Sequence, residues 1–353
     1  MPYPTIDPSP DFGRLATVFA RGIPDRVPFI ELFLDEPIMV AIRQARFSVE
    51  PARRARETAE LFFRLGYDYV PAATAFGFPY HTVAAKDTAH LPMAGRSWVQ
   101  AASGTIETWD DFKRYRWPVP TEDSYAPIEQ AAEAMPPGMK LIPHGPGGVL
   151  ENVMWLMGYE ALSYALADHP DLVEAVFERV GSTLVEIFDV LAREDAVGAV
   201  FLGDDMGFKT QTMLSPDALR RYVFPWQRRI AEVVHAQHKP FLLHACGNLE
   251  SVMDDLIDYV GIDARHSFED AIVPITEAKR RWGARVSLLG GVDMDLLARG
   301  SPQQVRARAR EVLEACMPGG GYALGSGNSV ANYIPVENYF AMLEEGWRNG
   351  VYS

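Results

Sequence analysis

The chain has 353 residues, of which 48% are hydrophobic, and its formal net charge is −14. This length and apolar content predict a sizeable core in one large or two ordinary domains, which excludes a disordered protein. The 47 acidic residues outnumber the 33 lysines and arginines, which excludes a protein that coats nucleic acid, because binding phosphates requires a basic surface. Two cysteines are too few for a disulfide framework. With no signal-peptide pattern and no membrane-length apolar run, we expect a soluble cytoplasmic protein.

Short apolar runs alternate with longer amphipathic stretches, which predicts repeated β–α units and a parallel sheet. The first predicted strand covers 26–31, and a helix follows over 52–66. Seven further strands are predicted at 67–71, 140–144, 199–205, 240–246, 261–266, 285–290 and 321–326. Helices are predicted at 152–167 and 171–193. Two more begin at the caps Ser215-Pro216-Asp217 and Ser301-Pro302 and end near 238 and 315.

Eight strands with intervening helices predict a (β/α)8 TIM barrel, formed as a single domain over 1–353 with an N-terminal extension. The extra length lies mainly at 75–139, an insertion after the second strand, where 97–99 and 105–108 are predicted to form a small hairpin. A doubly wound open sheet is the alternative. That fold normally has a glycine-rich phosphate-binding turn after its first strand, and Glu31-Leu32-Phe33-Leu34 is no such turn, which favours the barrel.

Polar side chains follow almost every predicted strand, at the end where the active site of a TIM barrel lies. They are Glu31, Tyr69 with Thr74, His144, Asp204 with Asp205, His244 with Cys246, His266 with Glu269, Asp293, and Ser326 with Asn328. Loops are polar in any protein, which accounts for part of this set. It does not account for the histidines and the cysteine, so we expect a functional site at this rim of the barrel.

The stretch His244-Ala245-Cys246 is the most informative part of the rim. Alternate residues of a strand point the same way, so the imidazole and the thiol lie on one face. These donors suit Zn²⁺, which in catalytic sites takes about three protein ligands and keeps one position open. By strand order, Glu269 is the nearest candidate for a third ligand. The alternative is a packed cysteine beside a hydrogen-bonded histidine, and Cys316, at the end of an amphipathic helix, is expected to be buried and inert.

Three other rim positions have a functional and a structural interpretation. Asp204 and Asp205 are adjacent and point in different directions, so one is expected to line the cavity, whereas the structural alternative is a solvated loop and a helix cap. His144 precedes glycines that let the backbone approach a ligand, which indicates a pocket residue. Asp293 either lines the pocket or begins the loop before a helix.

Seven segments resemble the uroporphyrinogen decarboxylase superfamily, in particular its corrinoid-dependent methyltransferase branch. They are LIPHGPGGVLENVMWLMG, VFLGDDMGFKTQTMLSP, FPW, KPFLLHACGNLESVMDDLID, GIDARHSFED, VSLLGGVD and PGGGYALGSGNSVANYIPVENY. The resemblance covers roughly 25–350 and implies a TIM-barrel enzyme.

The resemblance also implies a set of metal ligands. Proteins similar to methylcobamide:coenzyme M methyltransferases hold zinc with a His-x-Cys pair and a later cysteine, and a glutamate can join them. By this likeness His244 and Cys246 are zinc ligands, and Glu269 matches the glutamate. Asn328 stands where the later cysteine is expected, and Cys316 lies twelve residues too early.

The decarboxylases of the superfamily grip the carboxylates of their tetrapyrrole with N-terminal arginines, followed by an aspartate. This chain has no arginine over 29–35. Its Glu31, Asp35 and Glu36 would instead repel a polyanionic porphyrinogen. This part of the sequence therefore favours the methyltransferase branch.

The resemblance thus implies methyl transfer to or from a corrinoid such as cobalamin on a partner protein, with a small molecule as donor or acceptor and the metal as Lewis acid. The implied site comprises catalytic Asp204, Asp205 and His144, and substrate-binding Glu31, Asp293, Asn328 and Tyr333. One alternative is a metal-free decarboxylase-like enzyme that acts on a tetrapyrrole or another carboxylated substrate, with Asp204 or Asp205 on pyrrole N–H groups. Another is a non-catalytic corrinoid- or tetrapyrrole-binding protein. The apolar content and the insertion leave room for a homodimer.

Overall fold

Seven parallel strands form one curled sheet in the computed structural model, which describes residues 3–85, 91, 96–99 and 103–352. The strands of this sheet are β1 (Tyr69–Ala73), β4 (Lys140–His144), β5 (Val200–Gly203), β6 (Phe241–His244), β7 (Ala264–His266), β8 (Ser287–Leu289) and β9 (Tyr322–Ala323). They lie side by side in chain order. Adjacent parallel strands need crossover connections, and helices supply most of them. The carboxyl ends of all seven strands therefore meet at one rim.

The helices surround this sheet and precede it. They are α1 (Gly13–Phe19), α2 (Glu36–Arg43), α3 (Pro51–Arg64), α4 (Trp109–Arg114), α5 (Glu122–Glu133), α6 (Val149–Met157), α7 (Tyr159–Asp168), α8 (Pro170–Arg193), α9 (Pro216–Ala218), α10 (Phe224–His235), α11 (Ile275–Trp282), α12 (Met294–Arg299), α13 (Pro302–Cys316) and α14 (Val336–Asn349). α8 buries Val173, Phe177, Val180 and Leu184, spaced three or four residues apart, and packs on α6, α7 and α10.

The predicted helix starts at Ser215 and Ser301 are confirmed. The hydroxyl of Ser301 accepts the Gln304 N–H, and the Gln304 side chain accepts the Ser301 N–H, which is a complete capping box ahead of Pro302. Ser215 accepts the Ala218 N–H in the same way. These caps fix where the helices begin relative to the strands that precede them.

The predicted strand at 26–31 is not continuous, although its middle lies beside β9. Ile30 N–H donates to the Leu324 carbonyl at 2.9 Å, and Leu324 N–H donates to the Pro28 carbonyl at 2.9 Å. This is parallel pairing. Pro28 has no N–H to donate, which shortens the ladder.

The other side of this segment contacts β1 through a side chain. The Tyr69 hydroxyl donates to the Glu31 carbonyl at 2.8 Å and accepts the Glu31 N–H at 3.0 Å. The seven strands and this segment together give a TIM-barrel-like α/β fold.

The hairpin of the insertion pairs differently from the prediction. β2 (Thr82–Ala85) pairs antiparallel with β3 (Arg96–Val99), so 97–99 is a strand but 105–108 is not its partner. Thr108 instead caps α4 in a capping box with Asp111. The local Thr-x-x-Asp pattern, which is satisfied within four residues, explains why this stretch starts a helix. Residues 86–90, 92–95 and 100–102 lie outside the described part of the chain.

None of the described helices combines the length and the apolar character that a membrane-spanning helix needs.

Replacing Gly325 by alanine tests the contact between β9 and the 28–30 segment. A Cβ at this position would overlap the Ile30 carbonyl oxygen, which is backbone and cannot move aside cheaply. Gly325→Ala should lower the free energy of unfolding by about 1–3 kcal/mol or more, as overpacking in a core does. Urea denaturation measures it.

The matched control is Gly203→Ala, because a Cβ there meets no atom within 4 Å. Its unfolding free energy should equal or slightly exceed that of the wild type. Equal values for the two variants would show that the 28–30 segment is not seated against β9.

Candidate functional site

A cavity of about 370 Å³ opens at the carboxyl ends of β4, β5 and β6. Its walls combine polar groups from these strand ends with apolar side chains. The lining residues are Leu32, Phe33, His144, Gly145, Gly147, Glu151, Trp155, Gly203, Asp205, His244, Cys246 and Asn328. Of the residues predicted from the sequence, the structure thus brings together His144, Asp205, His244, Cys246 and Asn328.

Three of these residues form a compact cluster of potential metal ligands. The ligand atoms of Asp205, His244 and Cys246 all lie within 4.8 Å of one another. His244 Nε2 lies 3.5 Å from Asp205 Oδ1 and 3.5 Å from Cys246 Sγ. The cluster offers one oxygen, one nitrogen and one sulfur atom, all of them donors that Zn²⁺ accepts.

The pairing of β5 with β6 builds this cluster. Gly203 lies opposite His244 in the parallel register, so the chain two residues further on brings Asp205 beside Cys246. The Cys246 N–H donates to Asp205 Oδ1 at 2.7 Å and fixes the carboxylate there.

The charges of the cluster favour a bound cation. Burial opposes ionisation of Asp205, but His244 and the Cys246 N–H outweigh it and lower the pKa of the carboxyl to about 2. Burial, with the nearby Asp205 carboxylate, raises the pKa of the Cys246 thiol above its usual range. A buried thiol beside a carboxylate keeps its proton until a positive charge replaces it, which is what a metal ion provides.

Asn328 contacts this cluster directly. Its Nδ2 donates to Cys246 Sγ at 3.0 Å. The position that the resemblance assigns to a further cysteine is therefore adjacent to the sulfur, but it holds an amide that donates a hydrogen bond.

Asp204, predicted from the sequence as a catalytic group, points away from the cavity. Its carboxylate accepts the N–H groups of Val149 and Glu151, at 2.9 and 3.1 Å, and the Gln227 amide at 2.8 Å. It therefore caps the N-terminus of α6. Burial raises its pKa to about 7, and these hydrogen bonds limit the rise. The carboxylate thus holds the start of α6 and is buried away from the cavity lining.

Glu151 and Trp155, which lie one turn apart on α6, line the cavity but are not among the residues predicted from the sequence. Glu151 Oε2 accepts the Gly148 N–H at 3.2 Å. Burial, with Asp205 and Asp204 nearby, raises the pKa of Glu151 well above its ordinary value. The capping-box spacing from Gly148 to Glu151 marks the start of α6, and the four-residue spacing to Trp155 puts both on one face.

Glu31 is buried, with 1% of its surface exposed, and it does not line the cavity. Its carboxylate accepts the Ser326 N–H at 2.8 Å and the Ser326 hydroxyl. Burial raises its pKa to about 8 in spite of these two bonds. The sequence predicts that Glu31 binds substrate, whereas in the structure its carboxylate is occupied by Ser326 inside the barrel.

Asp293, Tyr333 and Glu269 line a different, open pocket of about 840 Å³. Asp293 caps α12 by accepting the N–H groups of Asp295 and Leu296, which is its structural interpretation. Glu269 is not part of the ligand cluster, in which Asp205 takes the third place. Burial, with Asp293 and Asp205 nearby, raises the pKa of Glu269.

A second histidine lies behind the cluster. His266 is fully buried, and its Nδ1 lies 2.8 Å from His244 Nδ1. Burial, with His244 and Arg265 nearby, lowers the pKa of His266 well below its usual value. Cys316 is buried as expected and lies apart from both histidines, near the Ile275 carbonyl.

The curled parallel sheet, with polar side chains gathered at the carboxyl ends of its strands, defines a TIM-barrel-like α/β protein. The chain belongs to the uroporphyrinogen decarboxylase (URO-D) family, whose model matches residues 104–346. The family resemblance read from the sequence motifs is therefore confirmed.

Individual relatives include methyltransferases and decarboxylases. The chain is 31% identical over 145 residues to the methylated-thiol–coenzyme M methyltransferase of Methanosarcina mazei, covering 41% of this chain and 36% of that protein. It is 28% identical over 203 residues to the uroporphyrinogen decarboxylase of Anaeromyxobacter dehalogenans, covering 54% and 53%. The aligned parts thus span about a third to a half of these relatives.

A solved structure, a methyltransferase from Methanosarcina mazei, matches 94% of this chain and 97% of its own, with a TM-score of 0.70 at 18% identity. This likeness shows the fold alone.

Replacing Glu31 by glutamine tests the burial of an ionisable group. The folded-state pKa of about 8 lies above the usual 4.5, so the native chain holds a proton that the unfolded chain releases within this range. The contribution of Glu31 to the free energy of unfolding therefore falls as the pH rises from about 4.5 to 8. Glu31→Gln cannot ionise, so its stability relative to the wild type should increase over this range.

Urea denaturation at several pH values between about 5 and 9 measures this difference. The exposed Glu133 provides the matched control, and Glu133→Gln should follow the wild-type pH dependence. A constant difference between Glu31→Gln and the wild type would contradict the assigned burial.

Proposed function

We propose that the protein is a methyltransferase of the URO-D family whose Asp205, His244 and Cys246 hold Zn²⁺ at the base of the cavity. The observation that carries this proposal is the cluster itself, with three different ligand atoms within 4.8 Å of one another at the rim. Two strand ends supply all three residues, and three protein ligands are the usual number at a catalytic zinc. The similarity to a methylated-thiol–coenzyme M methyltransferase supports the reaction class.

Bound there, the zinc would supply a Lewis acid that activates a thiol acceptor or polarises the atom whose bond to methyl changes. The residues of the chain bind and orient the substrate beside it. His144 and Glu151 offer polar groups to the cavity, and Phe33 and Trp155 offer apolar walls that exclude water. Asn328 holds the Cys246 sulfur in place through its hydrogen bond.

We further propose that the methyl group moves to or from a corrinoid carried by a partner protein, with a small molecule as the other methyl carrier. The sequence resemblance supports the corrinoid. We also propose that the chain forms a single-domain barrel. In this barrel the 28–30 segment takes the place of the eighth strand, and 75–139 is an insertion. The hydrogen bonds of this segment to Leu324 and to Tyr69 support that closure. The cytoplasmic location and the homodimer stay predictions.

A decarboxylase-like enzyme without metal is the second candidate, and the similarity to uroporphyrinogen decarboxylases favours it. In this alternative the ionised Asp205 would accept pyrrole N–H groups, since Asp204 is occupied in the cap of α6. The absence of arginine over 29–35 argues against a substrate with many carboxylates.

Metal analysis tests the zinc proposal. Purified protein should contain about one zinc per chain by mass spectrometry, and Cys246→Ser and Asp205→Asn should each weaken zinc binding at least about tenfold, because each removes one of three ligands.

The other cysteine gives the matched control, and Cys316→Ala should retain zinc. Glu269→Gln should retain it as well, since Glu269 lies outside the cluster. Loss of zinc in Glu269→Gln but not in Asp205→Asn would overturn the proposed ligand set. A fully active protein without zinc would overturn the proposal that the reaction requires a metal.

Two assays separate the candidate reactions. We expect the zinc protein to form or consume methylcobalamin, followed by its visible absorption, and to leave porphyrinogen carboxylates intact. Loss of carboxylates from a porphyrinogen, with no change in methylcobalamin, would favour the decarboxylase.

A further inference from the structure

The geometry points to His266 as a positioning residue that holds a hydrogen on Nδ1 of His244 and so leaves His244 Nε2 free to bind a metal. The consequence for metal affinity rests on the proposed function. The hydrogen positions do not, because they follow from the contacts of the two rings alone.

The chain of contacts runs from the cavity into the barrel interior. His244 Nε2 faces Asp205 and Cys246, and His244 Nδ1 lies 2.8 Å from His266 Nδ1. The other nitrogen of His266, Nε2, lies 3.3 Å from the Ser326 carbonyl oxygen. The two rings stand in adjacent strands, because His244 lies opposite His266 in the register of β6 and β7.

The Ser326 carbonyl sets the direction of the hydrogen bonds between these residues. A carbonyl oxygen only accepts hydrogen bonds, so His266 Nε2 must carry a hydrogen and donate it to Ser326. His266 has no exposed surface, and the cation Arg265 precedes it, so a second positive charge is disfavoured and the ring is neutral. A neutral ring with hydrogen on Nε2 has a bare Nδ1, which accepts.

It follows that His244 Nδ1 donates and carries the hydrogen between the two rings. His244 then faces the carboxylate and the thiol with Nε2, the nitrogen that a metal ion would bind. In the protein without metal, a hydrogen on Nε2 can point at Asp205 Oδ1, 3.5 Å away, and a bound metal ion would replace it. Histidine ligands of metals generally have such a partner on the second nitrogen, which fixes the ring and its tautomer.

The same contacts give Glu31 a function inside the barrel. Ser326 donates its N–H and its hydroxyl to the Glu31 carboxylate while its carbonyl accepts from His266. Glu31 thereby fixes the peptide on which the orientation of His266 depends. A carboxylate far from any substrate contact thus acts on the cluster through Ser326 and two imidazole rings.

Nitrogen-15 NMR of the metal-free protein tests the inference directly. Two-bond correlations distinguish the two neutral tautomers of histidine, and the loss of signals in His244→Gln and His266→Phe assigns the two rings among the eight histidines. We expect hydrogen on Nδ1 of His244 and on Nε2 but not Nδ1 of His266. A bare Nδ1 on His244, or hydrogen on Nδ1 of His266, would overturn the inference.

Zinc affinity of the variants gives a second readout. His266→Phe removes the acceptor and should weaken zinc binding about 10–100-fold, the usual effect of losing such a partner. His235, the last residue of α10, pairs with Asp263 and gives the matched control, so His235→Phe should bind zinc like the wild type. Unchanged affinity in a folded His266→Phe would overturn the inference.

The two experiments separate this inference from the proposed function. A wild-type protein that fails to bind zinc would overturn the proposed function, whereas the tautomers of its metal-free form decide the inference independently. If His266→Phe does not fold, His244→Gln still assigns the His244 signals in the wild-type spectrum, and a bare Nδ1 on that ring would overturn the inference.

Discussion

The register between β5 and β6 is the constraint on which the whole site depends. With Gly203 opposite His244, the Asp204 N–H donates to the His244 carbonyl, and Asp205 comes to lie beside Cys246. Because consecutive side chains point in different directions, the Asp205 carboxylate lines the cavity and the Asp204 carboxylate caps the N-terminus of α6. A single backbone pairing thus sets both the ligand cluster and the position of the helix that supplies Glu151 and Trp155.

The buried carboxyl groups differ in how well the protein compensates their charge. The pKa of Asp205 is about 2, because His244 and the Cys246 N–H outweigh the cost of burial. Asp204 and Glu31 accept only neutral donors, and burial raises their pKa values to about 7 and about 8. Asp204 and Glu31 thus both oppose stability at high pH. Both hold parts of the site in place, one through α6 and the other through Ser326.

The sequence predicts the sheet well and the site only in part, for identifiable reasons. Apolar runs mark the seven strands, because a strand buried on both faces needs a continuous apolar segment. Pairing is harder to foresee, so the sequence predicts a hairpin strand at 105–108 although Thr108 caps α4. Strand order likewise favours Glu269 as a third ligand, whereas the register places Asp205 beside His244 and Cys246. Whether a carboxylate at a strand end faces the cavity or the core depends on tertiary contacts. The sequence therefore does not reveal that the carboxylates of Glu31 and Asp204 are buried away from the cavity.

Asn328 and Asp205 together explain how the proposed zinc site keeps its charge balance. A site with two thiolates and one imidazole neutralises a divalent cation, and the amide at position 328 removes one of those charges. The ionised Asp205 restores it, because its carboxylate and the Cys246 thiolate would together carry two negative charges beside the imidazole of His244. The orientation of that imidazole depends in turn on the hydrogen bond of its Nδ1 to His266. The ligand that the strand register adds and the tautomer that the barrel interior fixes are therefore two parts of the same electrostatic balance.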